Sequence, residues 1–392
     1  MNARPRDSRR FPAFVGLLVA LALIAGCASK KDKLDPPAEL PKFKATIKVT
    51  RAWSQSVGGT APKLRLGLDA AVDGDRVYAA SHDGNVYAYA LSTGKQLWRT
   101  KTHVKISGGP GAGEGVVVVG SSYGDVLALD GGTGTIKWKT RVNSEILSAP
   151  AIGGDRVLLR SVDGRLHGLS LADGSVVWSA EQPVPKLSLR GVAIPAIAGE
   201  LVVSGFDNGR MMAVTLRDGL TAWEATVAPP SGRSELERLV DIDSTVRVAG
   251  DDLYVVTFQG RVARVARDTG QIWWTRDISS YAGLAIDEDG VYVSTSDGQV
   301  VKIGRRTGVE MWRSDLLKNR RLSAPAVLGG QVVVADLKGY VHFLDAATGK
   351  ITAREKNGGD RVSNAPVVAQ DLVLFMNDKG HLSAFRIVAP RG

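Results

Sequence analysis

One phrase recurs eight times along this chain and leaves few folds open to it. The glycine in Asp83-Gly84-Asn85-Val86-Tyr87-Ala88 returns as Gly124, Gly164, Gly209, Gly260, Gly298, Gly339 and Gly380. The intervals are 40, 40, 45, 51, 38, 41 and 41 residues. Most units continue as Ala-x-x-x-x-Thr/Asp-Gly-x-x-x-Trp, as in Ala88…Thr93-Gly94…Trp98. A period near forty, punctuated by glycine turns and short Val/Tyr/Leu-rich runs, marks a solenoid or a propeller.

A single unit decides between them. Ser148–Ile152 reads as a short first strand and Arg156–Ser161 as a second. Asp163-Gly164 is a tight turn, because Asp-Gly supplies the positive φ that hairpins need. Arg165–Leu171 is the third strand, Asp173-Gly174 the next turn, and Ser175–Ala180, with Trp178, the fourth strand. Four strands and three turns in about forty residues leave no room for a helix. The expected fold is all-β, an eight-bladed β-propeller of four-stranded antiparallel blades.

Seven complete units begin near residues 68, 107, 147, 192, 245, 282 and 323. The eighth has second and third strands at Leu372–Met376 and His381–Ile387, and then the sequence ends. Thr46–Trp53, at the other end, looks like a fourth strand, tryptophan included. The expectation is that this N-terminal strand completes the last blade and hides an open sheet edge. Trp98, Trp138, Trp178, Trp223, Trp274 and Trp312 each lie four residues after a turn glycine; unit seven has Ala353 there. A tryptophan at one fixed blade position reads as packing between blades rather than as a ligand site.

Composition narrows the function. The 392 residues exceed one ordinary core, but repeats that pack only on their neighbours remove that limit. The formal charge is +10, thinly spread, with no Lys/Arg cluster beside aromatic residues, so nucleic acid is not an expected partner.

The N-terminus reads as an export signal. Arg4, Arg6, Arg9 and Arg10 precede the apolar stretch Phe11–Gly26, which suits a signal peptide better than a membrane span. It ends Ile24-Ala25-Gly26-Cys27, similar to a bacterial lipobox, in which cleavage exposes Cys27 for lipidation. Cys27 is the only cysteine, which excludes an intrachain disulfide and thiol chemistry in the body. Ala28 rather than Asp follows it, which in lipoprotein sorting implies the outer membrane. The expected organisation is a signal peptide over 1–26, a lipidated flexible tether over 27–42 and the propeller over 43–392. An extended tether of this length spans roughly 45 Å.

Catalytic and metal signatures are weak. The five histidines lack a metal-binding spacing. The Asp-Gly pairs lack the dense oxygen ligands of a calcium loop, and turn chemistry accounts for them. Gly108–Gly115 matches neither GxGxxG nor a phosphate loop, and a strand rather than a helix follows it. No cofactor, no metal and no catalytic residue are expected.

The repeat breaks in two places. From Trp98 to Pro110, and from Trp138 to Pro150, is 12 residues; from Trp178 to Pro195 it is 17, and from Trp223 to the matching Val246 it is 23. Both insertions join a fourth strand to the next first strand, so they emerge on one face at adjacent blade junctions, where binding residues concentrate. The first holds Leu187-Ser188-Leu189-Arg190-Gly191, apolar anchors beside an arginine, as in a protein-binding hot spot. The second holds Ser234 and Glu237, a capping box for one helical turn, then Asp241 and Asp243, two carboxylates on one side if the segment is extended. The plainer alternative is that the leucines tuck under the loops and the aspartates cap turns.

Taken together, the lipobox, the eight quinoprotein-like units, Leu187-Ser188-Leu189-Arg190-Gly191 and Asp241-Ile242-Asp243-Ser244-Thr245 resemble the BamB family, propeller lipoproteins of the outer-membrane β-barrel assembly (BAM) machinery. The resemblance covers the whole mature chain. It implies a non-enzymatic scaffold, anchored to the outer membrane by lipid on Cys27 and facing the periplasm. It implies docking on the POTRA domains of BamA through Leu187, Leu189, Arg190, Asp241 and Asp243, with unfolded outer-membrane proteins as further partners. Val246 departs from the pattern, where a proline would match Ala149-Pro150. Two rivals from other classes are a pyrroloquinoline-quinone propeller dehydrogenase and a lipoprotein that binds an envelope polymer. The first would show a cofactor pocket at the centre, calcium ligands and often a vicinal disulfide; the second would show an aromatic groove.

Overall fold

Backbone hydrogen bonds sort the described residues into thirty-two strands and eight separate four-stranded antiparallel sheets. A computed structural model of the chain describes residues 35–59, 66, 68–188 and 193–388. The expected signal peptide, Cys27, Leu189 and Arg190 lie outside these residues. Blade one runs from first to fourth strand as β2 (Ala71–Asp73), β3 (Arg76–Ala80), β4 (Asn85–Ala90) and β5 (Gln96–Lys101). Blades two to seven repeat that order, and the eight sheets form the expected propeller.

The eighth sheet has the order β1-β32-β31-β30, with β1 spanning Lys48–Ser56 and β30, β31 and β32 spanning Val367–Ala369, Leu372–Met376 and His381–Val388. The N-terminal strand is therefore the fourth strand of the last blade. Its register is that of a genuine fourth strand. In blade one Trp98 sits opposite Ala88, and a bulge leaves Leu97 unpaired. In blade eight Trp53 sits opposite Ala384, and the same bulge leaves Ala52 unpaired. The bulge recurs between third and fourth strands in every blade and leaves the extra residue exposed in all but blade seven, where Thr352 is buried. That accounts for the exposure of Leu97, Val177, Trp273 and Met311.

The tryptophans hold one blade to the next. Each indole ring lies over the turn glycine of the following blade: Trp53 on Gly94, Trp98 on Gly134, Trp138 on Gly174, Trp178 on Gly219, Trp223 on Gly270, Trp274 on Gly308 and Trp312 on Gly349. Most also donate Nε1–H to a carbonyl there, as Trp98 does to Gly131 at 3.0 Å and Trp138 to Leu171 at 2.9 Å. Blade seven lacks its tryptophan for a physical reason. The turn it would cover joins a third to a fourth strand, and blade eight has no such turn, because its fourth strand is β1.

The last part of the expected tether is bound to the disc rather than free. Ala38 N–H donates to Lys318 O, and Arg320 Nη1 donates to Ala38 O at 2.8 Å. Arg354 donates to Pro41 O and lies over the ring of Phe43, and Thr46 N–H donates to Thr352 O. Leu40 and Phe43 pack on buried residues of blades six and seven. The segment thus covers the outer strand of blade seven where the tryptophan is missing.

First strands of all eight blades enclose an axial channel of about 490 Å³. Its wall is mostly alanine, proline and branched aliphatic residues, with Asp69 and Arg247 as its charged members.

Candidate functional site at the junctions of blades three, four and five

In most blades the residue after the second strand is a small polar one that closes the next turn. The side chains of Ser121, Thr257, Thr295, Asp336 and Asn377 each accept the N–H four residues ahead, at 2.7–3.0 Å. Blade four places Phe206 there instead. The preceding strand of blade three ends in Arg160, where blade one has Ala80 and blade seven Ala335. These two exceptions meet. The Arg160 guanidinium stands 4.5 Å over the Phe206 ring, donates through Nη1 to Gly205 O at 2.6 Å, and forms an ion pair through Nη2 with Asp207. Arg160 and Asp207 are both buried.

The turn at 206–209 links the two insertions. Asn208 Nδ2 donates to Pro183 O in the first, at 3.4 Å. Phe206 O accepts the N–H of Ile242 in the second, and Gly209 O accepts those of Val227 and Ala228 at its entrance. Phe258 N–H donates to Asp241 O from blade five. Gly205 makes room for this: a Cβ there would stand 2.1 Å from Ile242 Cγ2. Leu239, Val240 and Ile242 are buried. The second insertion is therefore a plug wedged between blades four and five, and its tip, with Leu236 at the surface, projects beyond it.

The expected capping box is present. Glu237 N–H donates to Ser234 Oγ at 3.3 Å, and Ser234 N–H donates to Glu237 Oε2 at 3.1 Å. It closes one turn, with Arg238 N–H returning to Ser234 O. The N–H donors hold the Glu237 carboxyl below its usual range.

The sequence-derived contact residues fall into three groups. Leu187 is 43% exposed, as a partner contact requires. Leu189 and Arg190 lie outside the described residues. Asp241 and Asp243 are not displayed as an open pair: Asp241 is 1% exposed and Asp243 is mostly buried. Burial, helped by the carboxylates of Asp241 and Asp207 and opposed by Arg160, pushes Asp243 up to about 8. Its Oδ1 is buried without a hydrogen-bond partner. At neutral pH it is mostly a neutral acid that a cation could ionise. Among the described residues no group of three or more His, Cys, Asp or Glu is arranged to hold a metal ion.

Arg160, Phe206 and Asp207 were not singled out from sequence. Their signal was there: a charge and an aromatic ring at repeat positions that elsewhere hold small residues.

Comparisons with known proteins bear on the family and the fold. The family described as outer membrane protein assembly factor BamB matches over residues 48–105, 82–314 and 296–388. The chain belongs to the BamB family. A BamB from Pseudomonas aeruginosa is 46% identical over 371 residues, covering 94% of this chain and 98% of that protein. One from Bordetella pertussis is 36% identical, covering 97% and 99%. The crystal structure of BamB from Moraxella catarrhalis superposes with a TM-score of 0.80 at 29% identity, covering 86% of this chain and all of the other. A quinohemoprotein alcohol dehydrogenase from Comamonas testosteroni shares the fold alone, with a TM-score of 0.69 at 13% identity, covering 88% and 77%. The BamB relatives are named for assembly, not for a reaction.

Proposed function

We propose that this chain is a non-enzymatic scaffold lipoprotein of the outer-membrane β-barrel assembly machinery. It docks on the POTRA domains of BamA and assists the folding and insertion of outer-membrane proteins. Cys27 carries the lipid that holds it in the outer membrane, on the periplasmic side. Family membership supports the assembly role. The observation that carries the docking site is the convergence of both insertions on one turn, 206–209, with Leu187 exposed in the first insertion.

Each part has a physical task. Leu187 and Leu189 supply about 2–3 kcal/mol each if a partner buries them. Arg190 pairs with an acidic partner group, and Asp243 becomes a carboxylate when a basic partner group meets it, with Asp241 in the buried stretch behind it. The buried Arg160–Asp207 pair holds the 206–209 turn, to which both insertions are hydrogen-bonded, in one geometry, as a rigid binding surface requires.

Co-purification tests the reading. Leu187→Ala, Leu189→Ala and Arg190→Ala, combined in the lipidated protein, should abolish recovery of BamA while circular dichroism and melting show an intact disc. Undiminished recovery of BamA would overturn the docking site. Loss of recovery on Cys27→Ala alone, in detergent extract, would point to the lipid as the contact instead.

A further inference from the structure

The axial channel carries two charges that the repeat does not ask for. Counting back forty residues from Pro110 places Ala70 at the proline position, so Asp69 is one residue before it. Blades two, three, five and eight hold Gly109, Ala149, Thr245 and Ala365 there. Arg247 lies one residue after the matching Val246, where blades one, two, three and seven hold Ala71, Gly111, Ala151 and Ala326. The two charged side chains have opposite signs, and they belong to blades one and five, which face each other across an eight-membered ring. They also stand two residues apart along the first strand, roughly 7 Å in height.

This offset keeps them from pairing directly. Arg247 Nε donates to Leu284 O at 3.2 Å, and no ion pair links it to Asp69. The Asp69 carboxyl accepts the N–H of Ala365, while its Oδ1 is buried with no hydrogen-bond partner. Burial pushes Asp69 up to about 6, against the pull of that N–H and of the more distant guanidinium. Burial likewise lowers Arg247, with Asp69 opposing. A half-buried carboxylate and a half-buried guanidinium that face one cavity without touching each other are left poorly compensated. A molecule with a cation at one end and an anion at the other would satisfy both.

We propose that the axial channel binds a small zwitterion, a free amino acid or a dipeptide, with its ammonium group on Asp69 Oδ1 and its carboxylate on Arg247. The volume of about 490 Å³ lies within the range of ligand cavities and admits either. The wall suits the body of such a molecule. Pro110, Pro150, Pro325 and Pro366 offer apolar surface and no N–H to compete for the carboxylate. The channel adjoins the ends of both insertions at Ile194 and Thr245, but its two charged groups, Asp69 and Arg247, are not among the proposed docking residues.

Calorimetric titration and saturation-transfer NMR on the mature protein test this with L-alanyl-L-alanine and L-alanine as probes. Binding of either at millimolar concentration is expected. N-acetyl-L-alanine and L-alaninamide, and the corresponding blocked dipeptides, each lack one charge and should bind about tenfold more weakly or worse. Asp69→Asn and Arg247→Gln should each cause a similar loss, with melting curves showing that the disc is intact. The blocked probes give the same answer on the unaltered protein if either variant fails to fold. Three results would overturn the site: no binding of either zwitterion, equal binding of blocked and free forms, or affinity retained in both variants. Acetate binding as tightly as the dipeptide would reduce it to a simple anion site and equally overturn the proposal.

Discussion

Trp53, near the start of the folded chain, lies face-on against Gly94 in the first blade, so that a Cβ on Gly94 would stand 2.6 Å from its ring. Its indole N–H donates to Leu91 O at 2.7 Å. This contact joins the last blade to the first. Gly94 holds φ at 68°, so the position excludes a side chain on both conformational and steric grounds. Gly94→Ala is expected to cost about 1–3 kcal/mol and Trp53→Ala about 3–5 kcal/mol. Denaturant titration measures both, and hydrogen exchange should show the added opening concentrated in β1.

Removing one member of the buried pair under the insertions should be worse than removing both. Arg160→Met leaves Asp207 buried beside Asp243 without its cation, at a cost of about 3–5 kcal/mol. Asp207→Leu added to it should recover much of that loss. Limited proteolysis within 182–188 and 228–245 reads the local effect: faster cleavage in the single variant, slower again in the double. Equal stability of the single and double variants would contradict the pairing.

Asp243 imposes a pH dependence of known sign. Its value near 8 in the disc lies above its ordinary 3.8, so the folded chain keeps a proton that the unfolded chain gives up. The stabilisation this brings is complete below about 3.8 and is lost as pH rises through about 8. Asp243→Asn, which cannot ionise, should therefore melt higher than the parent protein above pH 8, and the gap should shrink steadily towards pH 4. Thermal scans across that range decide it.

Partner binding should show the opposite trend. If a basic side chain of the partner meets Asp243, it must drive off that proton. Affinity for the POTRA domains is then expected to rise with pH by up to about tenfold per unit below about 8. Calorimetry in buffers of different ionisation enthalpy should report proton release, and Asp243→Asn should abolish it. Pairing with an acidic partner group would reverse the slope.

Phe43 tests the bound end of the tether. Its ring packs under Arg354 at 4.9 Å and beside buried residues of blades six and seven. Phe43→Ala should open residues 37–45 to protease and cost about 0.5–2 kcal/mol, mostly local. A parallel collapse of the whole disc would mean that this segment is part of the ring closure.

The sequence made the wheel readable because its rules are local. A turn glycine, a strand and a tryptophan every forty residues need no knowledge of distant contacts, and even the role of Thr46–Trp53 followed from counting strands. What stayed hidden depends on two blades at once. Arg160 looks like any charged strand end until Phe206 and Asp207 are brought over it. Asp241 and Asp243 look like a displayed pair until Gly205 opens a slot that draws Ile242, and the chain around it, inward. Ala353 looks like a lapse until its would-be target turn proves not to exist. Asp69 and Arg247 come to face one channel only after the ring is closed.

That closure has a consequence for biogenesis. The strand β1 leaves the ribosome ahead of every other strand of the disc, and its only sheet partner, β32, leaves last. Through the whole of synthesis the leading strand waits without a mate, while the stack of finished sectors keeps an unsealed flank. Losing a dozen residues from the tail would therefore injure the front of the molecule. Whatever shelters the nascent chain must hold on until its final residues arrive.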